Sequence, residues 1–129
     1  MTGKDRSNVD SDTVNVKLPA AARHMARDYP DLWEAFEHLG EAVSGAGPLE
    51  PRTRRLIHLA LAIAADSEGA THSHVRRATA EGISSEELEH VAILAITTTG
   101  WSQAMKGLAW VRDITRAQSG AAVTESIGP

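Results

Sequence analysis

The sequence describes a small, mildly acidic protein without cysteine. Its 129 residues carry a formal net charge of −4, and 42% of them are hydrophobic against 23% charged. This length and composition are typical of one globular domain with a modest core. The acidic charge argues against nucleic acid or an anionic membrane as partner. The absence of cysteine excludes disulfides, thiolate nucleophiles and thiolate metal ligands.

The two ends of the sequence are polar or small-residue segments. We expect residues 1–17 to be a flexible N-terminal segment, and not a secretory signal, because they lack an apolar run. We expect residues 119–129 to be a flexible tail, which leaves residues 18–118 as a single helical domain. The longest apolar run, residues 56–65, is too short to span a bilayer. Together with the lack of cysteine, this predicts a cytoplasmic protein.

Apolar residues at helical spacing predict an all-α protein of about six helices. The first helix covers residues 20–28. The second begins at Pro30 and ends in the breaker segment 44–48. Pro51 begins a third helix that runs to about residue 66. The middle of this helix is apolar on every side, which is expected of a fully buried helix.

The second half of the chain carries three further predicted helices. The fourth covers residues 68–81 and stops at Gly82. The fifth begins with a capping box of Ser84 and Glu87 and runs to about residue 99. Gly100 separates it from the sixth, which runs from about Trp101 to residue 118. The last two helices have more apolar surface than one small domain can cover, which predicts a homo-oligomer.

The candidate chemistry centres on a histidine of the fourth helix. His74 is four residues after Ala70 and four before Ala78, so the three share one helix face. Small alanines at these positions allow another helix to approach closely. His74 is therefore either a packed residue hydrogen-bonded to a neighbour or a general acid/base with a shifted pKa.

The remaining histidines do not predict a metal site. His72 and His74 are two residues apart and point about 200° apart on a helix, so they cannot share an ion. His58 and His90 could approach from other helices, but no carboxylate stands at a matched spacing. The sequence therefore favours scattered surface and interhelical histidines, with no metal bound.

Two arginines lie in the first turns of the third helix. If Arg54 or Arg55 points inward, its guanidinium needs an anionic partner. That partner is either an internal glutamate such as Glu68 or the carboxylate of a small anionic substrate. The internal salt bridge is the simpler of these two alternatives.

Three motifs follow one another along the chain. They are T-R-x-L at Thr53, Arg54 and Leu56, H-V-R-R-A-x-x-x-G from His74 to Gly82, and S-x-E-E-L from Ser84 to Leu88. This ordered set resembles the carboxymuconolactone decarboxylase and AhpD-like superfamily, over roughly residues 30–116. The resemblance implies an AhpD-like all-α fold. It also implies homo-oligomers, commonly trimers or hexamers, with sites near subunit contacts.

The resemblance separates two branches by their catalytic residues. The peroxidase branch carries C-x-x-C before the histidine and a glutamate upstream. Here Ser67 and Ala70 stand at the cysteine positions and Arg55 at the glutamate position. The resemblance therefore excludes a cysteine-dependent peroxidase.

The lactone decarboxylase branch needs no cysteine and is the closer match. The residues that fit its pattern are Arg54, Glu68, His74 and Arg76. Trp101 and Ser102 depart from it, because that branch usually has a small apolar residue and a proline after the glycine. This departure leaves the pocket shape and the substrate undetermined.

The sequence supports an enzyme as one of two functions. The enzyme would be a cofactor-free acid/base catalyst that acts on a small carboxylated lactone or a related organic acid. His74 would move the proton with a pKa near neutral, and Glu68 would orient either the imidazole or the arginine. The expected substrate-binding residues are Arg54, Arg55, His58 and Trp101.

The alternative is a non-catalytic oligomeric binding protein or the relic of an AhpD-like peroxidase. Loss of both cysteines and the upstream glutamate is what such a relic would show. An enzyme needs an open pocket with converging polar groups at His74, whereas a relic should have filled that space with side chains.

Overall fold

The computed structural model describes residues 20–127, and the side chains of residues 20–117. The described part is all-α, as predicted, and contains no strand. Its helices are α1 (Ala20–Asp28), α2 (Pro30–Ser44), α3 (Pro51–Ala64), α4 (Glu68–Ala80), α5 (Ser85–Leu94), α6 (Ile96–Thr99) and α7 (Trp101–Ile127). No helix within residues 20–127 is long and apolar enough to cross a membrane. The predicted flexible segment 1–17 lies outside the described residues.

Two compact units divide the chain, with the boundary between Pro48 and Leu49. In the first unit α1 and α2 pack against each other. Pro30 occupies the first turn of α2, as predicted. Neither helix contains a buried residue. The predicted single domain over residues 18–118 includes both units and stays a prediction.

The second unit is built around α3, α4, α5 and α7. α4 packs against α3 and α7, and α5 packs against α3 and α7. Their shared core consists of Leu59, Ile63, Val75, Ala78, Ile83, Leu88, Ala92 and Val111. α3 and α7 approach closely at Gly107, where an added Cβ would lie 2.5 Å from Cγ2 of Ile63.

The predicted complete burial of the third helix is wrong for the single chain. Only Leu59, Ala62 and Ile63 of α3 are buried. Ile57 and Leu61 are exposed. The neighbouring helices of its unit pack on the side of α3 that carries Leu59 and Ile63, so the apolar residues of the other side stay accessible.

Local signals at the helix ends behave as the sequence predicts. The capping box of Ser84 and Glu87 is formed at the start of α5. Gly82 follows the end of α4 with a φ of 88°. Its N–H donates to the carbonyl of Thr79, and the N–H of Ile83 donates to the carbonyl of Ala78. This pair of bonds is a Schellman motif, for which glycine is the favoured residue.

The predicted fifth and sixth helices differ in extent from the observed ones. The fifth is interrupted at Ala95, so α5 and the short α6 replace it. The Ala95 carbonyl then accepts hydrogen bonds from the backbone N–H groups of Thr98 and Thr99 and from the hydroxyl of Thr99. Gly100, with a φ of 98°, then ends α6 and changes the direction of the chain before α7. α7 continues to Ile127, past the end predicted near residue 118.

Candidate functional site

Four polar side chains meet where α3 faces α4. We call them the His74 cluster: Arg55, His58, His74 and Glu81. Arg55 and His58 are three residues apart, so they share one face of α3. Glu81 follows α4 seven residues after His74, which places both on the same side of that helix. Ala78 lies between them and is fully buried. The cluster therefore occupies the helix contact that the alanine spacing predicts.

Arg55 forms hydrogen bonds with two other members of this cluster. Its Nε donates to Oε1 of Glu81, and its Nη2 donates to Oε2, both at 2.9 Å. Its Nη1 lies 2.8 Å from Nδ1 of His74. The Arg55 side chain is only 16% exposed. A two-pronged ion pair at such a position fixes the plane of the guanidinium.

The internal ion-pair partner of Arg55 is therefore Glu81 and not a glutamate such as the predicted Glu68. Glu81 is the ion-pair partner that sequence reasoning missed. Its spacing of seven residues from His74 is a usable signal, because residues two helical turns apart lie on one face.

The imidazole of His74 is held uncharged. Partial burial lowers its pKa most, and the positive charges of Arg55, His58 and Arg77 lower it further, against an opposing effect of Glu81. Together they bring the His74 pKa from 6.5 to about 4. The predicted near-neutral pKa of His74 is therefore wrong, because the sequence did not reveal how far the ring is buried or which cations lie beside it.

The hydrogen bond with Arg55 also determines where the single proton of His74 lies. A guanidinium only donates, so Nδ1 of His74 must be the acceptor. The proton of the neutral ring is thus assigned to Nε2. His74 presents an N–H donor at Nε2, and its basic nitrogen is already occupied. This arrangement suits stabilisation of a negative oxygen better than proton removal.

The ring of His58 stacks on the ring of His74. Their centroids are 5.2 Å apart and the planes are inclined by 29°. His58 is therefore beside the candidate donor, and its assignment to a substrate site stays a prediction.

The other predicted substrate-binding residues lie in different surroundings. The guanidinium of Arg54 donates to the backbone carbonyl of Leu49, just before α3. Trp101 is the first residue of α7, and 65% of its surface is exposed. The assignment of both to a substrate site stays a prediction.

Glu68 lies in a second group of side chains. We call Glu68, His72 and Asp113 the His72 cluster, whose ligand atoms all lie within 4.8 Å of one another. Nε2 of His72 is 2.9 Å from Oδ2 of Asp113. Glu68 and His72 are four residues apart and share a face of α4, whereas His74 points about 200° away from His72. Glu68 is thus placed to interact with His72, and the proposed orientation of His74 by Glu68 has no support in this geometry.

Ser67 stands at a position that carries cysteine in the peroxidase branch. It is the N-cap of α4, and its hydroxyl accepts a hydrogen bond from the backbone N–H of Ala70 at 3.3 Å. Serine is among the best residues for this task. The residue therefore has a structural role in starting the helix that carries His74.

A comparison with protein-family models identifies the family of this chain. The model of the carboxymuconolactone decarboxylase family matches residues 30–113, which is more than half of the chain and includes both clusters. A comparison with curated proteins gave no significant match, and neither did one with solved structures.

Proposed function

Because the chain belongs to the carboxymuconolactone decarboxylase family, we propose that it is a cofactor-independent enzyme that removes carbon dioxide from a small carboxylated lactone or a related organic acid. The observation that carries this proposal is the hydrogen bond between Arg55 and Nδ1 of His74. It supplies a neutral, oriented N–H donor in a partly buried site that also contains cationic side chains.

Decarboxylation needs an acceptor for the electron pair of the carbon–carbon bond that breaks. When the bond to the carboxylate carbon breaks, its electron pair moves through the conjugated system to the carbonyl oxygen. A proton then adds to carbon and restores the carbonyl. A preorganised donor aimed at that oxygen stabilises the charge as it develops. We assign this role to Nε2–H of His74.

The low pKa of His74 fits this role. A ring with a pKa of about 4 stays neutral at physiological pH, so its donor direction does not change by protonation. His58 is the other imidazole of the cluster. Histidine is the side chain best suited to carry protons near neutral pH. We therefore assign the delivery of the proton to carbon to His58, which replaces the acid/base role first expected of His74.

Arg55 is suited to bind the substrate carboxylate. A guanidinium has five N–H groups. Three of them are engaged in the bonds to Glu81 and His74, which leaves two for a ligand. The positive charges of Arg55 and Arg77 both act at His74. Positive charges beside the ring favour the binding of a small organic anion.

Two substitutions of His74 distinguish a neutral donor from an acid/base catalyst. His74→Gln keeps an N–H donor on a neutral side chain, whereas His74→Phe keeps only the ring shape. We would measure carbon dioxide release from a panel of carboxylated lactones and β-keto acids. Loss of one such donor costs about 10²- to 10³-fold in kcat. We expect that loss in His74→Phe and at least about tenfold more activity in His74→Gln.

The control for this experiment is His90→Gln, because His90 is exposed on α5. Equal loss in both His74 variants would assign acid/base work to His74 and contradict the donor role. Unchanged turnover in His74→Phe would show that His74 is not part of the active site.

One observation favours a second candidate function, a non-catalytic oligomeric binding protein. Arg55 already has an ion-pair partner and a hydrogen-bond partner without substrate. Such a network also serves simply to join α3 to α4. No turnover on any panel member, with the apolar residues of α2 protected in a homo-oligomer, would favour this alternative. Those apolar residues are Leu32, Phe36, Leu39 and Val43.

A further inference from the structure

The His72 cluster lies apart from the proposed catalytic residues and joins two helices. Glu68 and His72 stand one turn apart in the first half of α4, and Asp113 comes from α7. His72 is the most enclosed of the three, with 20% of its side chain exposed. The group therefore brings together one imidazole and two carboxylates from parts of the chain far apart in sequence.

We propose that Glu68, His72 and Asp113 bind one divalent first-row transition metal ion, for which Zn²⁺ is the best fit. The separation of 2.9 Å between Nε2 of His72 and Oδ2 of Asp113 suits adjacent ligands. Two ligands about 2.0–2.2 Å from one ion are about 2.8–3.1 Å apart in octahedral geometry and about 3.3–3.6 Å apart in tetrahedral geometry. The observed separation fits the octahedral arrangement, and a small outward movement of Asp113 gives the tetrahedral one. An oxygen of Glu68 lies within 4.8 Å of both atoms, and the proposal requires the exposed Glu68 side chain to rotate towards them when the ion binds.

The donor set selects the class of ion. Imidazole favours zinc and its first-row neighbours over Mg²⁺ and Ca²⁺, which prefer all-oxygen sites. Two carboxylates neutralise the charge of a divalent ion. Three protein ligands leave at least one position for water.

The charges of the cluster also favour a bound cation. A hydrogen bond between His72 and Asp113 explains why those two side chains are close, but it does not explain the position of Glu68. It leaves the carboxylate of Glu68 within 4.8 Å of the carboxylate of Asp113, and like charges at this distance repel. An ion between them removes the repulsion and takes the place of the proton that His72 shares with Asp113.

The ion would fasten the first half of α4 to α7. His74 is on the same helix but points away from the His72 cluster, so the metal has no direct part in the proposed reaction. Its effect is to stabilise the folded chain, because binding to the native state alone raises stability by mass action. The proposal is independent of the catalytic one, and the two can fail separately.

The test is a titration of the full chain, without a histidine tag and freed of metal by a chelator. Calorimetry with Zn²⁺ and visible absorption with Co²⁺ measure affinity and stoichiometry. We expect one ion per chain. His72→Gln and Asp113→Asn should each weaken binding at least about tenfold, since even changes to residues behind the ligands cost this much. Glu68→Gln should weaken it in the same direction.

The matched control is His38→Gln. His38 and Glu34 form an i,i+4 pair on α2, with 3.6 Å between Nε2 and Oε1, but the described residues add no third ligand there. This variant should leave Zn²⁺ binding unchanged. Zn²⁺ at about a hundred times the wild-type Kd should raise the unfolding temperature by several degrees in the wild type and in His38→Gln, and by about half as much or less in His72→Gln and Asp113→Asn.

Three results would overturn the proposal. They are the absence of saturable binding below about 1 mM Zn²⁺, binding that survives both His72→Gln and Asp113→Asn, and binding that depends on His72 alone. Circular dichroism establishes that each variant is folded. If a variant of a partly buried residue does not fold, Glu68→Gln decides the outcome, because Glu68 is exposed.

Discussion

The stability of the protein should depend on pH through His74. The pKa of this ring is lowered from 6.5 to about 4 in the folded chain, first by partial burial and then by the neighbouring cations. Between these values the unfolded chain binds a proton that the folded chain does not bind. Acid therefore favours unfolding, and the contribution of His74 is present above pH 6.5 and is lost as the pH falls towards 4.

The magnitude follows from the two pKa values. At about 1.4 kcal/mol per pKa unit, the difference corresponds to at most about 3–4 kcal/mol. Because the ring is only partly buried, solvent screening reduces this value, and we expect about 2 kcal/mol. The free energy of unfolding from urea denaturation at pH 7.5, 6.5, 5.5 and 4.5 measures it.

The variant His74→Gln isolates this contribution from the other titrating groups. It cannot be protonated, so its free energy of unfolding should fall by about 2 kcal/mol less than that of the wild type between pH 7.5 and 4.5. His90→Gln, at an exposed position on α5, should behave as the wild type does. The same pH dependence in His74→Gln and in the wild type would refute the account of a neutral, desolvated ring.

Three further predictions concern the fold that holds the site, each measured as the free energy of unfolding. Gly107→Ala should cost about 1–2 kcal/mol, because its Cβ would lie 2.5 Å from Cγ2 of the fully buried Ile63. The control is Gly69→Ala, because no atom lies within 4 Å of an added Cβ there. This variant should be neutral or stabilising by up to about 1 kcal/mol. An equal free-energy change in Gly107→Ala and Gly69→Ala would contradict the close contact between α3 and α7. Gly82→Ala should cost about 1 kcal/mol, since φ is 88°, and no loss would contradict that conformation. Ser84→Ala should cost about 1 kcal/mol by removing the cap of α5, whereas Ser85→Ala should cost little.

Features encoded within a few residues could be predicted from the sequence. Pro30 at the start of α2, Gly82 after α4 and the capping box of Ser84 and Glu87 are of this kind. Each depends on the backbone conformation that one residue permits or on a side chain that reaches its own helix end. These signals, together with the helical periodicity, were sufficient for the all-α fold.

Features that depend on which helices become neighbours could not be predicted. The sequence identified His74 and Arg55 but not the ion pair with Glu81 that orients the arginine. Asp113 is 41 residues from His72, and no local spacing connects them. The exposed side of α3 could not be recognised either, because its apolar residues give the same pattern whether one side or all sides are covered.

The most direct test of the central claim is the tautomer of His74 at pH 7. Two-bond ¹H–¹⁵N correlation spectra of the protein with labelled histidine distinguish the two neutral tautomers from the charged ring, and His74→Gln assigns the signal. We predict a neutral ring with its proton on Nε2, which shifts towards the other tautomer or becomes charged in Arg55→Met. A proton on Nδ1, or a charged ring at pH 7, would contradict both the hydrogen bond from Arg55 and the donor role proposed for His74.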